Sequence, residues 1–524
     1  MSVEAPPAPP ETQAQPGPPG GRVAVVLGLL LAAGAALRLS FAGQSLLGDE
    51  LSTYWIVSTN DFGGVVSTVE SDAEISPPLF FLLSWLAVQI DLTPEFLRLP
   101  SLLAGLATIP LVYLIGLRTV GRGPALLAAA FTTLSPFMIF YSAEARGYGL
   151  MAALVAASTL SMLLAVDRGR PGWWVAYAVT TAAAVYTHYT CVFVLAAQFL
   201  WVLWTHPETR GRALIATAAA AAGFLPWLPG TLADFGSPTT DILAFLHPFT
   251  AFHVRQALEH WALGYPIPRV PVTDVPGLTA LGMLAVALTL TAAGLVATRA
   301  ATLRAGLLGA DRRTLLVVLL ALAVPVGAVL FSAVGPTRMV STRNLAASWP
   351  AFALTLAAMV LSSGPRIRLA AAGLTVAAFG IGAVKMLDPD YARPQYEKAS
   401  EFILERGAPE DVVIDEAVVL SPGPLSPIDP YLEGRHTTYR SRKPQQDDHP
   451  FSLRDRAVPA AEASRKAALA AAAAGGRIFL VTHTDISPAR RPMGRFRPVE
   501  RREYPGINRA VVRIYARPDS AASR

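Results

Sequence analysis

Long apolar runs alternate with short charged clusters over most of the chain. About twenty consecutive apolar residues are enough for an α-helix to cross the hydrocarbon core of a bilayer. About eleven runs reach or approach that length and predict transmembrane helices. They lie at about 23–42, 97–117, 123–142, 149–166, 172–188, 190–205, 213–229, 278–298, 314–334, 345–362 and 367–386.

One further apolar run, from Pro78 to Ile90, is only about a dozen residues long and falls short of a full crossing. Asp91 and Glu95 follow it, whereas Lys or Arg would be expected at a cytoplasmic end. We therefore predict an interfacial or re-entrant helix at this position.

The N-terminal end differs in composition from the apolar middle. Residues 1–22 are rich in Pro, Ala, Gln and Gly, which cannot bury enough apolar surface to offset the entropy of ordering. This composition predicts a disordered cytoplasmic tail before a transmembrane domain at 23–386.

The C-terminal end, residues 387–524, is no longer continuously apolar. It contains a helix-like stretch at 396–405 and a Pro- and Asp-rich stretch at about 420–450 that is typical of a loop. Strand-like apolar runs occur at 412–414, 478–481 and 511–515. Together these patterns predict a small extracytoplasmic α/β domain.

Composition and charge exclude several classes of protein. Of 524 residues, 53% are hydrophobic and 15% are charged, which is more apolar than a soluble core requires. The net charge of +6 comes from Arg and Lys in short loops between apolar runs, so nucleic-acid binding is not expected. Cys191 is the single cysteine, which excludes an intrachain disulfide and a thiolate metal cluster.

The basic residues also predict the orientation of the spans, because Lys and Arg concentrate in cytoplasmic loops. The eleven-span arrangement puts all the basic clusters on one face. These clusters are Arg118 with Arg122, residues 167–170, Arg210 with Arg212, residues 299–313, and Arg366 with Arg368. The outer face then receives the loops at 43–96 and 230–277 and the C-terminal domain. A span at 78–90 would instead place residues 167–170 outside, against the charge bias.

Two acidic segments follow spans on the predicted outer face. Asp49 and Glu50 come after the first span, and Glu144 and Arg146 come after the span at 123–142. Charge at a membrane boundary is costly and tends to mark function, so both segments are candidates to converge on one substrate. The simpler alternatives are a turn and helix cap for the first pair and an exposed interfacial ion pair for the second.

Further candidates lie on other outer segments. Arg338 and Arg343 have guanidinium groups suited to a planar, two-pronged grip on a phosphodiester. His188 could donate to a phosphate or a sugar, and Tyr148 offers an aromatic surface for a sugar face. The alternatives are arginines that extend to lipid headgroups and a histidine packed at a helix end.

Several short motifs follow one another over about residues 40–190. They are Gly48-Asp49-Glu50, Ser76-Pro77-Pro78-Leu79-Phe80-Phe81, Leu97-Arg98-Leu99-Pro100-Ser101, Leu134-Ser135-Pro136-Phe137 and Tyr141-Ser142-Ala143-Glu144-Ala145-Arg146-Gly147-Tyr148. Their order and spacing resemble the bacterial relatives of dolichyl-phosphate-mannose protein mannosyltransferases, which are polytopic glycosyltransferases of the GT-C fold that use polyprenyl-phosphate sugars. Ser76 stands where that family often has His before two prolines, and residues 341–345 loosely resemble its Arg-Tyr-Leu-Leu-Pro stretch.

The resemblance implies an inverting GT-C membrane glycosyltransferase of the bacterial plasma membrane. Moving a sugar from a lipid phosphate to a hydroxyl requires a base for the acceptor proton and a cationic clamp for the phosphate. We predict Asp49 as the base, with Glu50 beside it in the catalytic pair. The predicted substrate-binding residues are Ser76, Glu144, Arg146, Tyr148, His188, Arg338 and Arg343.

The predicted partners are a polyprenyl-phosphate-linked sugar donor, the bilayer, and an acceptor that is a glycan, a lipid or a protein. No His, Cys and carboxylate cluster has the spacing of a metal site, so we predict no cofactor and no metal requirement, with a divalent cation as the alternative. The sugar stays open among mannose, arabinose, glucose and aminoarabinose. A transporter or flippase of lipid-linked sugars, and a non-catalytic scaffold for envelope assembly, stay open as other functions.

Overall fold

The structure is a computed structural model that describes most of the chain. The described residues are 21–71, 74–237, 240, 248–299, 311–335, 337–365, 367–417, 426–432, 434–442, 458–483 and 493–518. Residues 1–20 of the predicted disordered tail, most of the basic loop at 299–313 and much of the predicted loop at 420–450 lie outside these residues, whereas residues 21 and 22 begin the first helix.

Up to residue 385, the described part of the chain consists of helices and the segments that connect them. They are α1 Gly21–Ala42, α2 Asp49–Thr59, α3 Phe62–Glu70, α4 Leu79–Val88, α5 Pro94–Thr119, α6 Arg122–Leu134, α7 Pro136–Ser142, α8 Tyr148–Arg168, α9 Pro171–Val185, α10 Val192–Thr205, α11 Arg210–Phe224, α12 Leu228–Gly236, α13 Ala251–Ala262, α14 Leu278–Arg299, α15 Arg312–Val334, α16 Trp349–Leu361 and α17 Arg368–Lys385. Every predicted span coincides with one of these helices or with the pair α6 and α7.

Helix length decides which of the predicted spans can cross a bilayer. In the described residues, eight helical segments are long and apolar enough, or nine if the bent pair α6 and α7 forms one span. The other two, α9 and α10, have 15 and 14 residues. At 1.5 Å per residue they are about 21–23 Å long, less than the ~30 Å hydrocarbon core. The fold is therefore a multi-helix membrane bundle, while the number eleven stays a prediction.

A helix break between α6 and α7 changes the direction of the chain just before the second acidic segment, which contains Glu144 and Arg146. Pro136 has no N–H to donate to the carbonyl of Thr132, and the chain bends by 61° at this point. Ser135 caps the new helix with its side chain. The buried guanidinium of Arg38 on α1 donates to the carbonyls of Thr132 and Thr133, at 3.1 and 3.4 Å. These bonds satisfy carbonyl groups that the break leaves unpaired.

The predicted outer loops contain helices of their own. The loop at 43–96 forms α2, α3 and the ten-residue α4, which is only about 15 Å long and cannot cross a bilayer. The loop at 230–277 is not purely irregular, since most of α12 and all of α13 lie within it. The segment 43–96 thus contains short helices, while their predicted interfacial or re-entrant placement stays a prediction; the segment 230–277, predicted as a long loop, is partly helical.

The predicted α/β domain follows α17 and is built on one sheet. Its elements are α18 Tyr396–Arg406, β1 Val412–Asp415, α19 Asp429–Leu432, β2 Thr437–Arg442, β3 Val458–Pro459, α20 Ala460–Ala474, β4 Ile478–Thr482, β5 Arg497–Tyr504 and β6 Ala510–Ala516. The strand order is β3-β2-β1-β4-β6-β5. Strands β1 to β4 pair in parallel, and β6 is antiparallel to both β4 and β5.

The helical bundle has two chemically different ends. On α5, Arg98 lies at the end that holds Glu50, and Arg118 lies twenty residues later beside Asp167. Twenty helical residues span about 30 Å, which matches the thickness of the hydrocarbon core. The predicted outer segments meet at the Arg98 end. The described members of the basic clusters belong to loops at the Arg118 end, where Arg313 also pairs with Asp167.

Candidate functional site

The centre of the site is an ion pair between two of the predicted residues. Gly48 has φ +58° and ψ −123°, a conformation that glycine adopts far more readily than other residues, and this turn starts α2 with Asp49. The Asp49 carboxylate accepts a hydrogen bond from the Arg343 guanidinium. Their side chains are 41% and 21% exposed, so the pair is accessible from solvent. The structure thus joins the first acidic segment to the predicted phosphate clamp, 294 residues apart in sequence.

Glu50 has a different environment from its neighbour and does not fit the predicted catalytic role. It is fully buried and accepts from the Arg98 guanidinium at 2.7 and 2.8 Å, while Arg393 lies 3.2 Å away. It also accepts the backbone N–H of Ala145 at 2.8 Å and that of Leu47 at 3.2 Å. Burial raises the pKa of Glu50, but the two arginines outweigh burial and hold it below its usual range. Because its side chain is fully buried against Arg98 and Arg393, we infer that Glu50 positions its neighbours and does not contact the substrate.

The same buried carboxylate connects three parts of the chain around the site. It lies next to Asp49 in sequence, and its partner Ala145 lies next to Glu144. Arg393 belongs to the segment that leads into the C-terminal domain, and it also donates to the carbonyl of Ala143 at 3.1 Å. Both acidic segments and the C-terminal domain are therefore held at fixed positions by one network of charge-assisted hydrogen bonds.

Glu144 and Arg146, both predicted to bind substrate, have different environments, and Arg146 pairs with another carboxylate. Arg146 is buried and binds the carboxylate of Glu74 through two hydrogen bonds, at 2.6 and 2.9 Å. Ser76, a predicted substrate contact, donates to the same carboxylate at 3.2 Å. Arg146 also lies over the ring of Phe81, 5.4 Å from its centre. The simpler alternative, an exposed interfacial ion pair of Glu144 with Arg146, is wrong, because Arg146 is buried and binds Glu74 in the segment between α3 and α4.

Glu144 does not share the ion pair of Arg146 with Glu74. Its Oε2 atom is buried and has no hydrogen-bond partner within the described part of the chain. Burial raises the pKa of Glu144, the negative charges of Glu50 and Asp49 raise it further, and Arg393 and Arg343 only partly oppose them, so it reaches about 8. At neutral pH this side chain is mostly protonated and can donate a hydrogen bond.

We expect binding of the predicted phosphodiester donor to weaken by about tenfold from pH 7 to pH 9.5, because ionised Glu144 adds a negative charge near Arg343, the predicted phosphate clamp. Glu144→Gln should abolish this dependence, as measured by equilibrium binding of a phosphodiester donor, which does not titrate in this range. Since the folded-state pKa is raised, wild-type stability should also fall as the pH rises through about 8, and the variant should lose that fall. An unchanged pH profile in Glu144→Gln would contradict the assignment, and Glu70→Gln, at an exposed position, is the control.

Tyr148 and His188 form an aromatic wall next to the central ion pair. The Arg343 guanidinium lies 5.9 Å from the centre of the buried Tyr148 ring, and the His188 ring lies 5.4 Å from it. Burial, together with Arg343 and Arg146, lowers the pKa of His188 to about 3, so its imidazole is neutral. Its Nδ1 accepts the backbone N–H of Thr190 at 3.3 Å, which leaves the proton on Nε2.

A close approach between α7 and α8 fixes the position of Tyr148. A Cβ atom at Gly149 would lie 2.7 Å from the carbonyl oxygen of Tyr141, so only glycine fits there without a shift of the backbone. The rings of Tyr141 and Tyr148 then pack edge to face, with centres 5.1 Å apart. Gly149, which directly follows the motif, therefore has a packing function.

Arg338 is the predicted site residue that the structure separates from the others. It is exposed, donates to the carbonyl of Ser332 and lies 5.7 Å from the centre of the Phe249 ring. Its described partners, Ser332 and Phe249, are not among the predicted site residues. Of the two predicted arginines, Arg343 therefore lies at the ion pair with Asp49, and Arg338 lies apart from it.

Sequence reasoning missed three residues that organise the site: Glu74, Arg98 and Arg393. Arg98 had a usable signal, because a charge inside an apolar run is costly and tends to be paired. Glu74 lies three residues before Pro77, the first proline of the Pro-Pro motif, and is the nearest acid to it. Arg393 follows the last span, and nothing in its sequence neighbourhood indicates a buried role.

Among the described residues, no group of three or more His, Cys, Asp or Glu side chains could hold a metal ion.

Comparison with known proteins relates this chain to membrane glycosyltransferases. Residues 76–229 match the family model of dolichyl-phosphate-mannose-protein mannosyltransferase. ArnT from Cupriavidus metallidurans in the apo state is 13% identical, with a TM-score of 0.55 over 94% of this chain and 98% of that chain. The same protein bound to undecaprenyl phosphate gives 14% identity and a TM-score of 0.54 at the same coverage. No curated protein matches the sequence.

A more distant likeness is to an oligosaccharyltransferase of Archaeoglobus fulgidus in the apo form, at 13% identity and a TM-score of 0.47 over 88% of this chain and 69% of that chain. The fold relationship rests on ArnT, which is matched over nearly its whole length. The predicted relationship is confirmed: the chain has the GT-C fold, and its segment 76–229 is related to the mannosyltransferase family.

Proposed function

We propose that the protein transfers a sugar from a polyprenyl-phosphate-linked donor to an acceptor hydroxyl at the outer face of a bacterial plasma membrane. The observation that carries this proposal is the accessible pairing of Asp49 with Arg343. Glu144 and the aromatic wall of Tyr148 and His188 lie beside that pair. This arrangement supplies both groups that the reaction requires, an anionic base and a cationic clamp.

Arg343 is the proposed clamp for the donor phosphate. A guanidinium presents several N–H donors in one plane, so it can hold a phosphodiester by two bonds and remain charged while the leaving group becomes an anion. In the structure, Nη1 of Arg343 donates to the Asp49 carboxylate. A bound donor phosphate competes for the N–H donors of Arg343 and frees the Asp49 carboxylate for the acceptor.

Asp49 is the proposed base. The acceptor O–H loses its proton to the Asp49 carboxylate as the acceptor oxygen bonds to the anomeric carbon of the sugar. The bond from that carbon to the phosphate oxygen breaks on the opposite side, and polyprenyl phosphate leaves as an anion held by Arg343. One displacement of this kind inverts the configuration of the anomeric carbon.

The neighbouring residues are proposed to hold the sugar. Protonated Glu144 can donate to a sugar hydroxyl, and the neutral imidazole of His188 offers a second donor at Nε2. The aromatic ring of Tyr148 provides a flat apolar surface for one face of the sugar. The GT-C fold shared with ArnT, which binds undecaprenyl phosphate, supports a polyprenyl carrier for this chain too.

A panel of radiolabelled polyprenyl-phosphate sugars, presented with membrane acceptors to the purified full-length protein, tests the proposal. We expect transfer from one donor, with inverted anomeric configuration in the product. Retained configuration would contradict the single displacement. Donor binding without transfer, for every sugar and acceptor, would favour a flippase or a scaffold instead.

The same assay tests the proposed independence of metals. We expect turnover to survive exhaustive treatment with EDTA, because Arg343 balances the charge of the phosphate that a metal would otherwise neutralise. Loss of turnover on chelation, restored by one divalent ion, would overturn this part of the proposal. The matched control is the same treatment followed by removal of the chelator without added metal.

Cysteine labelling tests the proposed orientation. Cys191 is buried, so the background reaction with a maleimide should be low. Gln89→Cys places a thiol at the end of the bundle that holds the site, and Arg122→Cys places one at the opposite end, both at exposed positions. A membrane-impermeant maleimide on intact cells should label the first variant only. Labelling of Arg122→Cys alone would reverse the orientation.

Arg343→Lys should raise the KM for the donor by about tenfold or more. Lysine keeps a positive charge but cannot make the planar, two-pronged contact with the phosphate. Steady-state kinetics with the identified donor measure the effect. Arg255→Lys, on the exposed face of α13, is the matched control and should leave KM unchanged. An unchanged KM in Arg343→Lys would place the phosphate elsewhere.

A further inference from the structure

The end of the bundle opposite the candidate site has a second feature that sugar transfer does not use. A cavity of about 310 Å³ opens on the outer surface of the bundle, between α5 and α8. Four leucine side chains form its apolar wall, and one of them, Leu114, is 37% exposed at the surface. The cavity is far larger than a water molecule requires, and its apolar lining offers water few polar partners. Its dimensions and lining suit a hydrocarbon chain from the surrounding bilayer.

Arginine side chains lie at one end of this cavity. Arg118 and Arg168 line it together with Trp173, and the Arg168 guanidinium lies 5.6 Å from the centre of a Trp173 ring. Tryptophan is enriched at the level of lipid headgroups, and arginine is the residue best suited to a phosphate. The cavity therefore has an apolar wall and, at one end, a cationic rim formed by Arg118 and Arg168.

Among the described residues, the positive charge at this rim exceeds the negative charge paired with it. Asp167 lies 4.0 Å from Arg118 and 2.5 Å from Arg313. Within the described residues, Arg168 has no carboxylate within ion-pairing distance. Three guanidinium groups share one carboxylate here, which leaves a formal charge of +2. A bound anion of matching charge lowers the electrostatic free energy of such a cluster.

We propose that this cavity binds one anionic phospholipid, with its phosphate at Arg118 and Arg168 and one acyl chain along the leucine wall. Arg118 lies about 30 Å along α5 from Arg98 at the candidate site, so this lipid sits in the opposite leaflet and is distinct from the sugar donor. The cationic rim selects an anionic headgroup over a zwitterionic one, and the cavity holds a single chain.

Native mass spectrometry of the delipidated full-length protein, titrated with phosphatidylglycerol or with phosphatidylcholine of the same chains, tests this proposal. We expect one tightly bound phosphatidylglycerol and markedly weaker binding of phosphatidylcholine. Arg168→Gln should raise the Kd for phosphatidylglycerol by about fivefold. Arg122→Gln, an exposed arginine at the same end that does not line the cavity, is the matched control and should leave the Kd unchanged.

A second variant tests the contribution of the cavity to lipid binding separately from the contribution of surface charge. Ala157 lines the cavity, and Ala157→Phe fills part of it without changing any charge. It should weaken binding of phosphatidylglycerol by at least as much as Arg168→Gln. Equal affinity for the two lipids, equal effects of Arg122→Gln and Arg168→Gln, or unchanged binding in Ala157→Phe would each overturn the proposal. Thermal unfolding of each variant without added lipid verifies that it is folded, and loss of sugar transfer is not a criterion.

Discussion

Asp49→Asn is expected to lower the turnover of sugar transfer by about 10²–10⁴-fold, the usual contribution of a general base. The amide keeps the shape of the side chain but cannot accept the acceptor proton at neutral pH. The KM for the donor should not rise, because loss of the negative charge beside Arg343 removes a competitor for the donor phosphate. Single-turnover kinetics with saturating donor separate the chemical step from binding.

The control for this variant is Asp91→Asn, which makes the same change at an exposed position after α4. Turnover in the control should equal that of the wild type. If Asp49→Asn retained turnover within a few fold of wild type, the base would lie elsewhere. Glu144 would then be the next candidate, because it is the other carboxylate coupled to Arg343.

Glu50→Gln is expected to destabilise the protein by about 3–5 kcal/mol. Arg98 and Arg393 are both buried, and removal of the carboxylate charge leaves two guanidinium groups without a counter-ion. The apparent Tm in a fixed detergent and at a fixed heating rate measures the change, since membrane proteins of this size often unfold irreversibly. Because the folded-state pKa of Glu50 is lowered, its contribution is present at neutral pH and is lost as the pH falls through that pKa.

Two comparisons make this result specific. Glu70→Gln, at the exposed end of α3, should change the Tm by little. Glu50→Asp keeps the charge and should retain more stability than Glu50→Gln. A Glu50→Gln protein of unchanged stability that had lost turnover would argue that Glu50 acts on the substrate directly, as the sequence first indicated.

The network around Glu50 also links the C-terminal domain to the site through ion pairs and hydrogen bonds. Besides the Arg393 ion pair, the N–H of Leu46 donates to the Tyr431 hydroxyl at 3.0 Å, and the N–H of Glu397 donates to the Ser45 hydroxyl at 3.0 Å. These bonds hold the segment just before Asp49 against that domain. A change in the position of the domain would therefore be transmitted to the proposed base.

The sequence by itself determined the elements of this fold. A helix in a membrane satisfies its backbone hydrogen bonds internally, so the length of an apolar run is a local signal, and all the predicted spans are helical. Strands β1, β4 and β6 were visible for a related reason, since they are buried and apolar. The edge strand β5, with the sequence Arg-Pro-Val-Glu-Arg-Arg-Glu-Tyr, is mostly exposed and charged and gave no such signal.

Only the tertiary structure decided which charged groups pair, because that depends on segments far apart in the chain. Glu144 and Arg146 are two residues apart, yet Arg146 binds Glu74, 72 residues away. Asp49 and Glu50 are adjacent, but α2 directs Asp49 to solvent and Arg343 while it buries Glu50 between Arg98 and Arg393. A pattern of charges locates a site on one face of a membrane, whereas burial and partner geometry assign the role of each residue within it.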